Sequence, residues 1–199
     1  MARSSGSRRT EPSAGSTNIG YFTSLGELLA ASGFVAVAFD HRFLALDRIP
    51  DAASDADDLI AHVRANAMEL GIDRERIALW IVSGGGAFLN AHLQERPPWL
   101  RAVVAYYPTL QPLSASSEPG RPLPPILIAR AGLDEPELNA GIERFVHDAL
   151  AQAAPLDLRT QPTGRHAFDM LDDEERSRQI IRHTLHFLTN HLLVSSPCA

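Results

Sequence analysis

Residues Ile77 to Gly86, I-A-L-W-I-V-S-G-G-G, decide the fold. Six apolar residues, rich in branched side chains, make a run of strand length that is suited to burial on both faces. The run meets a serine and three glycines, and A-F-L-N-A-H-L then follows at helical spacing. Strand, sharp turn and helix therefore succeed one another without a linker. Such a turn forces its first residue into a strained backbone conformation, which exposes the Ser83 hydroxyl, while Gly84 and Gly85 let the following helix approach closely. The helix start also aims backbone N–H groups at the space above Ser83, with that of Gly84 foremost. A structural turn or a phosphate loop would use similar letters. Against a phosphate loop, G-x-x-x-x-G-K-[ST] needs a lysine, and all 18 Lys-or-Arg positions of this chain are Arg.

Working outward, strand-like and helix-like segments alternate. The predicted strands are Phe34 to Phe39, Ile77 to Val82, Ala102 to Tyr106, Ile126 to Arg130 and Leu156 to Gln161. Helices are expected from about Gly20 to Gly33, Ala52 to Leu70, Gly85 to Leu93, Leu138 to Ala153 and Glu174 to Leu192. This order predicts an α/β fold, doubly wound, with a mostly parallel sheet and helices on both faces. Ligands of such sheets bind beyond the carboxyl ends of the strands, so the chemistry belongs in strand-to-helix loops. Asp55, Asp57 and Asp58, near the start of their helix, suit its dipole and solvent better than a metal.

The chain has 199 residues, which fits one domain with a real core. Residues 1–18, rich in Ser, Gly and Arg, lack hydrophobic periodicity and read as a flexible tail, leaving 19–199 as the domain. A composition of 45% hydrophobic and 21% charged residues is that of a globular protein in water. The net charge of −6, without a basic run, argues against nucleic acid as a partner. No apolar stretch has the length of a membrane span and no secretory signal is visible, so a cytoplasmic location is expected. Cys198 is the single cysteine, so neither an intrachain disulfide nor a thiolate metal cage is expected.

Two further loops complete the pattern begun by Ser83. Strand Ile126 to Arg130 leads into A-G-L-D-E-P, which places Asp134 just past a strand end, where a carboxylate can orient an imidazole. Strand Leu156 to Gln161 leads into P-T-G-R-H-A-F, which places His166 likewise. Singly, each residue suits a cap, a turn or a structural role. Together, serine, aspartate and histidine follow the chain order of one known class of hydrolytic triads.

Through A-S-G-F-V-A-V-A-F-D-H-R, S-G-G-G, A-G-L-D and G-R-H-A-F, the region from Tyr21 to Leu192 resembles the dienelactone-hydrolase-like branch of the α/β-hydrolases. The resemblance implies Ser83 as nucleophile, His166 as general base and then acid, Asp134 as its orienter, and an acyl-enzyme on small ester or lactone substrates. It implies no cofactor. The elbow of that branch prefers a small residue where this chain has Ile81, which either crowds the turn or packs into the sheet. The branch also carries an additional strand before the helix at residue 21, whose end supplies a second oxyanion N–H; neither is legible in residues 1–18. The N–H groups around Ile19, Gly20 and Tyr21 are the replacement donors by position. Strands 34–39 and 77–82 are then expected to pair directly, or the tail or another chain to fill the place, a homodimer being one such arrangement.

Tyr21, Phe43, Trp80, Tyr107, Leu110, Phe168 and Met170 lie near loops or strand ends, where Tyr107, Leu110 and Phe168 are the expected substrate-binding set and Trp80 the expected core residue. Residues 109–124 are expected to form a short cap that favours small acyl groups. His183, His186 and His191 fit a solvated helix side, with no further ligand to complete a metal site. The rival to a small-ester hydrolase is a non-catalytic relative that keeps the same fold and serves in binding or assembly.

Overall fold

A computed structural model describes residues 20–42, 48–114 and 120–193. The chain divides into two compact units, with the boundary between His41 and Arg42. The expected tail lies outside the described residues, as do Ile19, Phe43 and Cys198.

In the N-terminal unit, helix α1 spans Gly20–Ala31. It stops where Ser32 Oγ and N–H both return to the carbonyl of Leu28 and Gly33 takes φ +87°, a left-handed conformation that glycine adopts freely. Residues 34–39, expected as a strand, form none. Val35 and Val37 are 57% and 46% exposed, the reverse of a strand buried on both faces. An apolar run fits a strand but does not supply its ladder, and among the described residues none pairs with it.

The second unit holds helix α2 (Ile49–Ala65), strand β1 (Ile77–Val82), a 3-10 turn (Ser83–Phe88), α3 (Leu89–Glu95), β2 (Leu100–Tyr106) and β3 (Ile126–Ala131). It continues with α4 (Pro136–Ala151), β4 (Leu156–Gln161), a single turn α5 (Phe168–Leu171) and α6 (Glu175–Leu188), which runs into a π turn. The four strands are all parallel, in the order β1-β2-β3-β4. Helix α2 ends five residues before the expected Leu70. Asn66 caps the end: its backbone N–H and its side-chain amide both donate to the His62 carbonyl, at 3.0 and 2.8 Å. The segment expected as one helix from Gly85 begins as a 3-10 turn, because three consecutive glycines favour a tighter start.

Both faces of the sheet are covered. Leu79, Ile81, Val103, Ala105, Ile126 and Ile128 point to the face on which Leu89 and Leu93 of α3 and Ile142 and Phe145 of α4 pack. Each fully buried side chain of this size contributes roughly 1.5–3 kcal/mol. On the other face lies α6. There the Thr184 hydroxyl donates to Ile180 C=O at 3.0 Å and receives the Tyr106 hydroxyl at 2.7 Å. Gln161 Nε2 likewise donates to Ser177 Oγ at 3.1 Å. Register is continuous except at the start of β2, where Ile77 opposes Leu100 but Ala78 opposes Ala102, so exposed Arg101 is an extra residue. This bulge puts both Leu100 and Val103 on the core face. Because all four strands run the same way, their carboxyl ends share one edge. Ser83, Tyr107, Asp134 and His166 all follow those ends.

Candidate active site

Ser83 follows β1 directly and takes φ +51°. A non-glycine residue pays roughly 1–3 kcal/mol for a left-handed backbone, and the surroundings enforce it. Thr109 donates its N–H to the Ser83 carbonyl at 2.9 Å, fixing the turn to the loop after β2. Gly86 permits that closeness, since a Cβ there would sit 2.1 Å from the Thr109 carbonyl oxygen. Ile81 packs against the core cluster, and a Cβ on Gly85 would lie 3.3 Å from that of Ile81. Of the two alternatives for Ile81, packing into the sheet is the one observed, with Gly85 making room.

The loops after β3 and β4 are stitched together. Gly132 N–H donates to Gln161 C=O at 2.8 Å, and Leu133 N–H to Gly164 C=O at 2.9 Å. The next residue, Asp134, thereby reaches His166: Oδ2 lies 2.8 Å from Nδ1, while Oδ1 accepts the N–H of Glu135 at 2.9 Å. His166 Nε2 in turn lies 2.8 Å from Ser83 Oγ. A carboxylate only accepts, so Nδ1 carries the proton of the neutral ring and Nε2 offers its lone pair to the serine hydroxyl. The Asp134 side chain is 3% exposed and that of His166 41%, so the carboxylate is shielded while the imidazole stands at the surface.

The other expected site residues fall into three situations. Gly84 is in the 3-10 turn beside Ser83. Tyr21 belongs to α1, in the N-terminal unit, with its ring edge-on to Phe22. Tyr107, Leu110 and Phe168 are buried, at 1%, 8% and 0% exposure. Leu110 is part of the core cluster, and Phe168 stacks on Tyr106 with ring centroids 6.0 Å apart. Trp80, within β1, packs on Tyr106. Sequence reasoning passed over Asp169, whose Oδ1 accepts the Tyr107 hydroxyl at 2.7 Å. The signal available was its place three residues after His166. His183 pairs with Asp157, and among the described residues no His, Cys, Asp and Glu cluster has the form of a metal site. None of the described helices is long and apolar enough to cross a membrane.

The BD-FAE family model matches residues 13–97. No curated protein matches the sequence. Among solved structures, the chain is similar to the propionate-bound esterase Est2 of the Planctomycetes species Thermogutta terrifontis. That likeness has TM-score 0.73 and 19% identity and covers 90% of this chain and 80% of that one. Another structure of that esterase is phosphorylated by paraoxon. The chain is also similar to MGS-M1, an α/β hydrolase from a Medee basin deep-sea metagenome library (TM-score 0.67, 18% identity, covering 86% and 77%). A third likeness is to the esterase LipW of Mycobacterium marinum (TM-score 0.60, 21% identity, covering 71% and 58%). At these identities the likeness is one of architecture, and the chain has the α/β-hydrolase fold, with a four-stranded parallel sheet among its described residues.

Proposed function

We propose that the chain is a serine hydrolase of small carboxylic esters, lactones included, in which Ser83, His166 and Asp134 form the catalytic triad. The observation that carries this reading is the unbroken relay of hydrogen bonds from Ser83 Oγ through both ring nitrogens of His166 to Asp134. The strained serine at a strand end and the esterase relatives support it.

In the first step Ser83 Oγ attacks the acyl carbon, its proton passes to His166 Nε2, and the carbonyl π pair moves to oxygen. The Gly84 N–H is the donor assigned to that oxyanion; such a donor lowers the barrier by roughly 3–4 kcal/mol. Asp134 stabilises the imidazolium through the Nδ1 proton. The oxyanion collapses, the C–O bond to the alcohol breaks, and the leaving oxygen takes the proton from Nε2. Water then repeats the sequence on the acyl-serine and releases the acid. No cofactor enters. Tyr107 packs on the His166 ring and edge-on against Phe168, and Leu110 belongs to the core cluster.

Hydrolysis of p-nitrophenyl acetate and butyrate by the wild type and by Ser83→Ala tests the assignment. A loss of about a thousandfold or more is expected. Equal rates overturn it in favour of a non-catalytic binding role. Labelling of the wild type, but not the variant, by a fluorophosphonate is the matching covalent readout.

A further inference from the structure

We infer that Tyr107 is a positioning residue for His166, with Asp169 as its anchor; the inference rests on the triad reading given above. Three observations converge on it. The Tyr107 ring lies 4.6 Å from the His166 ring, centroid to centroid, tilted by 57°. Its hydroxyl donates to Asp169 Oδ1 at 2.7 Å. Its backbone is held at φ +37° by the N–H bond to Ala129 C=O at 2.7 Å, which extends the β2–β3 ladder one residue past the strand end.

Each end of this arrangement has a rigid base. Tyr107 stands on the sheet, and its side chain is 1% exposed. Asp169 belongs to the turn that carries His166, where Ala167 takes φ +63° and Met170 and Leu171 return their N–H groups to the Ala167 carbonyl. The phenol thus ties the histidine loop to the sheet, and its ring blocks one side of the imidazole. A half-exposed imidazole without that wall would sample rotamers in which Nε2 no longer faces Ser83 Oγ. When His166 takes the serine proton, the ring is also within cation–π range of the new charge. With 1% exposure, Tyr107 reaches the reaction through its packing on the His166 ring.

Tyr107→Phe keeps the ring and deletes the tether; Asp169→Ala deletes the acceptor, and Asp169→Asn retains it. Tyr107→Phe and Asp169→Ala are each expected to lower kcat about tenfold with KM within about twofold, since small misplacements of a proton-transfer group act on kcat. Asp169→Asn is expected to stay near wild type. The double variant Tyr107→Phe/Asp169→Ala is expected to lose no more than either single one. A purely structural tyrosine would lower the melting temperature and leave kcat unchanged, which overturns the inference. Ser83→Ala in the same assay separates the two readings: if it is as active as wild type, the triad reading fails. The low-field proton resonance of His166 Nδ1–H then still decides the positioning. Broadening in Tyr107→Phe supports it and an unchanged line refutes it.

Discussion

Leu133 donates its backbone N–H to the carbonyl of Gly164 at 2.9 Å, and this bond, together with that from Gly132 N–H to Gln161 C=O at 2.8 Å, joins the loop that bears Asp134 to the loop that bears His166. Without these two bonds, residues 32 positions apart would depend on their own side-chain hydrogen bond to stay adjacent. With them, the backbone sets their separation before either side chain orients.

Closeness of the two loops requires Gly132. A Cβ at that position would lie 2.3 Å from the carbonyl oxygen of Pro162, and backbone cannot swing aside as a side-chain tip can. Gly132→Ala should therefore part the loops while leaving Ser83, His166 and Asp134 in the sequence. We expect kcat/KM toward p-nitrophenyl esters to fall about a hundredfold, the usual cost of a misplacement near 1 Å. A variant within threefold of wild type would show that the stitch does not govern the site.

The serine turn offers a matched pair. Gly86→Ala would drive a Cβ to 2.1 Å from Thr109 C=O, whose own residue is bonded to Ser83, so the strain reaches the serine directly. A loss of about 3 kcal/mol in urea denaturation and of most hydrolysis is expected. Gly85→Ala meets only Ile81 Cβ at 3.3 Å, a contact that a few tenths of an ångström relieve. It should cost about 1 kcal/mol and leave most activity. Reversal of that order would mean that the turn is not held from the Thr109 side.

Arg96 holds three segments at one point. It takes φ +50° at the end of α3, and its guanidinium donates to Arg121 C=O at 2.7 Å and to Gln152 Oε1 at 2.6 Å. Because the residue is 8% exposed, water replaces these partners poorly. Arg96→Met keeps the stem but removes the charge-assisted bonds, and should lower stability by about 3 kcal/mol in urea denaturation. Activity per folded molecule should change little, as the proposed nucleophile Ser83 lies before the opposite end of α3. A loss below about 0.5 kcal/mol would refute the bracing role.

These relationships divide by how they are encoded. The strands Ile77–Val82 and Leu156–Gln161 are legible residue for residue, because turn-forming residues bound each run. Ser83, Asp134 and His166 are legible as a set because each follows such a strand, and a parallel sheet brings its carboxyl ends to one edge. Residues 34–39 mislead for the same physical reason in reverse: apolar character is local, whereas a ladder needs a neighbour. The bond between Tyr107 and Asp169 spans 62 positions and depends on two positive-φ turns, at Tyr107 and Ala167, that no periodicity announces. Burial of Tyr107, Leu110 and Phe168 is likewise a property of the packed loops and not of their spacing.

Asp157 supplies a prediction about pH. Burial opposes its charge, but hydrogen bonds and charges from Arg159, at 3.1 Å, and from His183 outweigh that effect and hold the carboxyl below its ordinary value of 3.8. A group whose folded pKa is depressed stabilises the fold above its unfolded pKa and loses that contribution as pH falls through the folded value. The window is therefore the acid one, below about pH 4. Glu175, drawn down by its hydrogen bond and charge contact with Arg182, acts in the same direction from a fully exposed position and is screened by salt. Unfolding free energies from urea titrations between pH 7 and pH 2.5 should fall for the wild type in this window. Asp157→Asn, less stable at pH 7, should fall less steeply, since it has no charge to lose. Parallel curves for the two proteins would place the acid sensitivity elsewhere. High salt should flatten the Glu175 share while leaving most of the difference between the curves, because Asp157, on β4, is half-buried against His183 of α6.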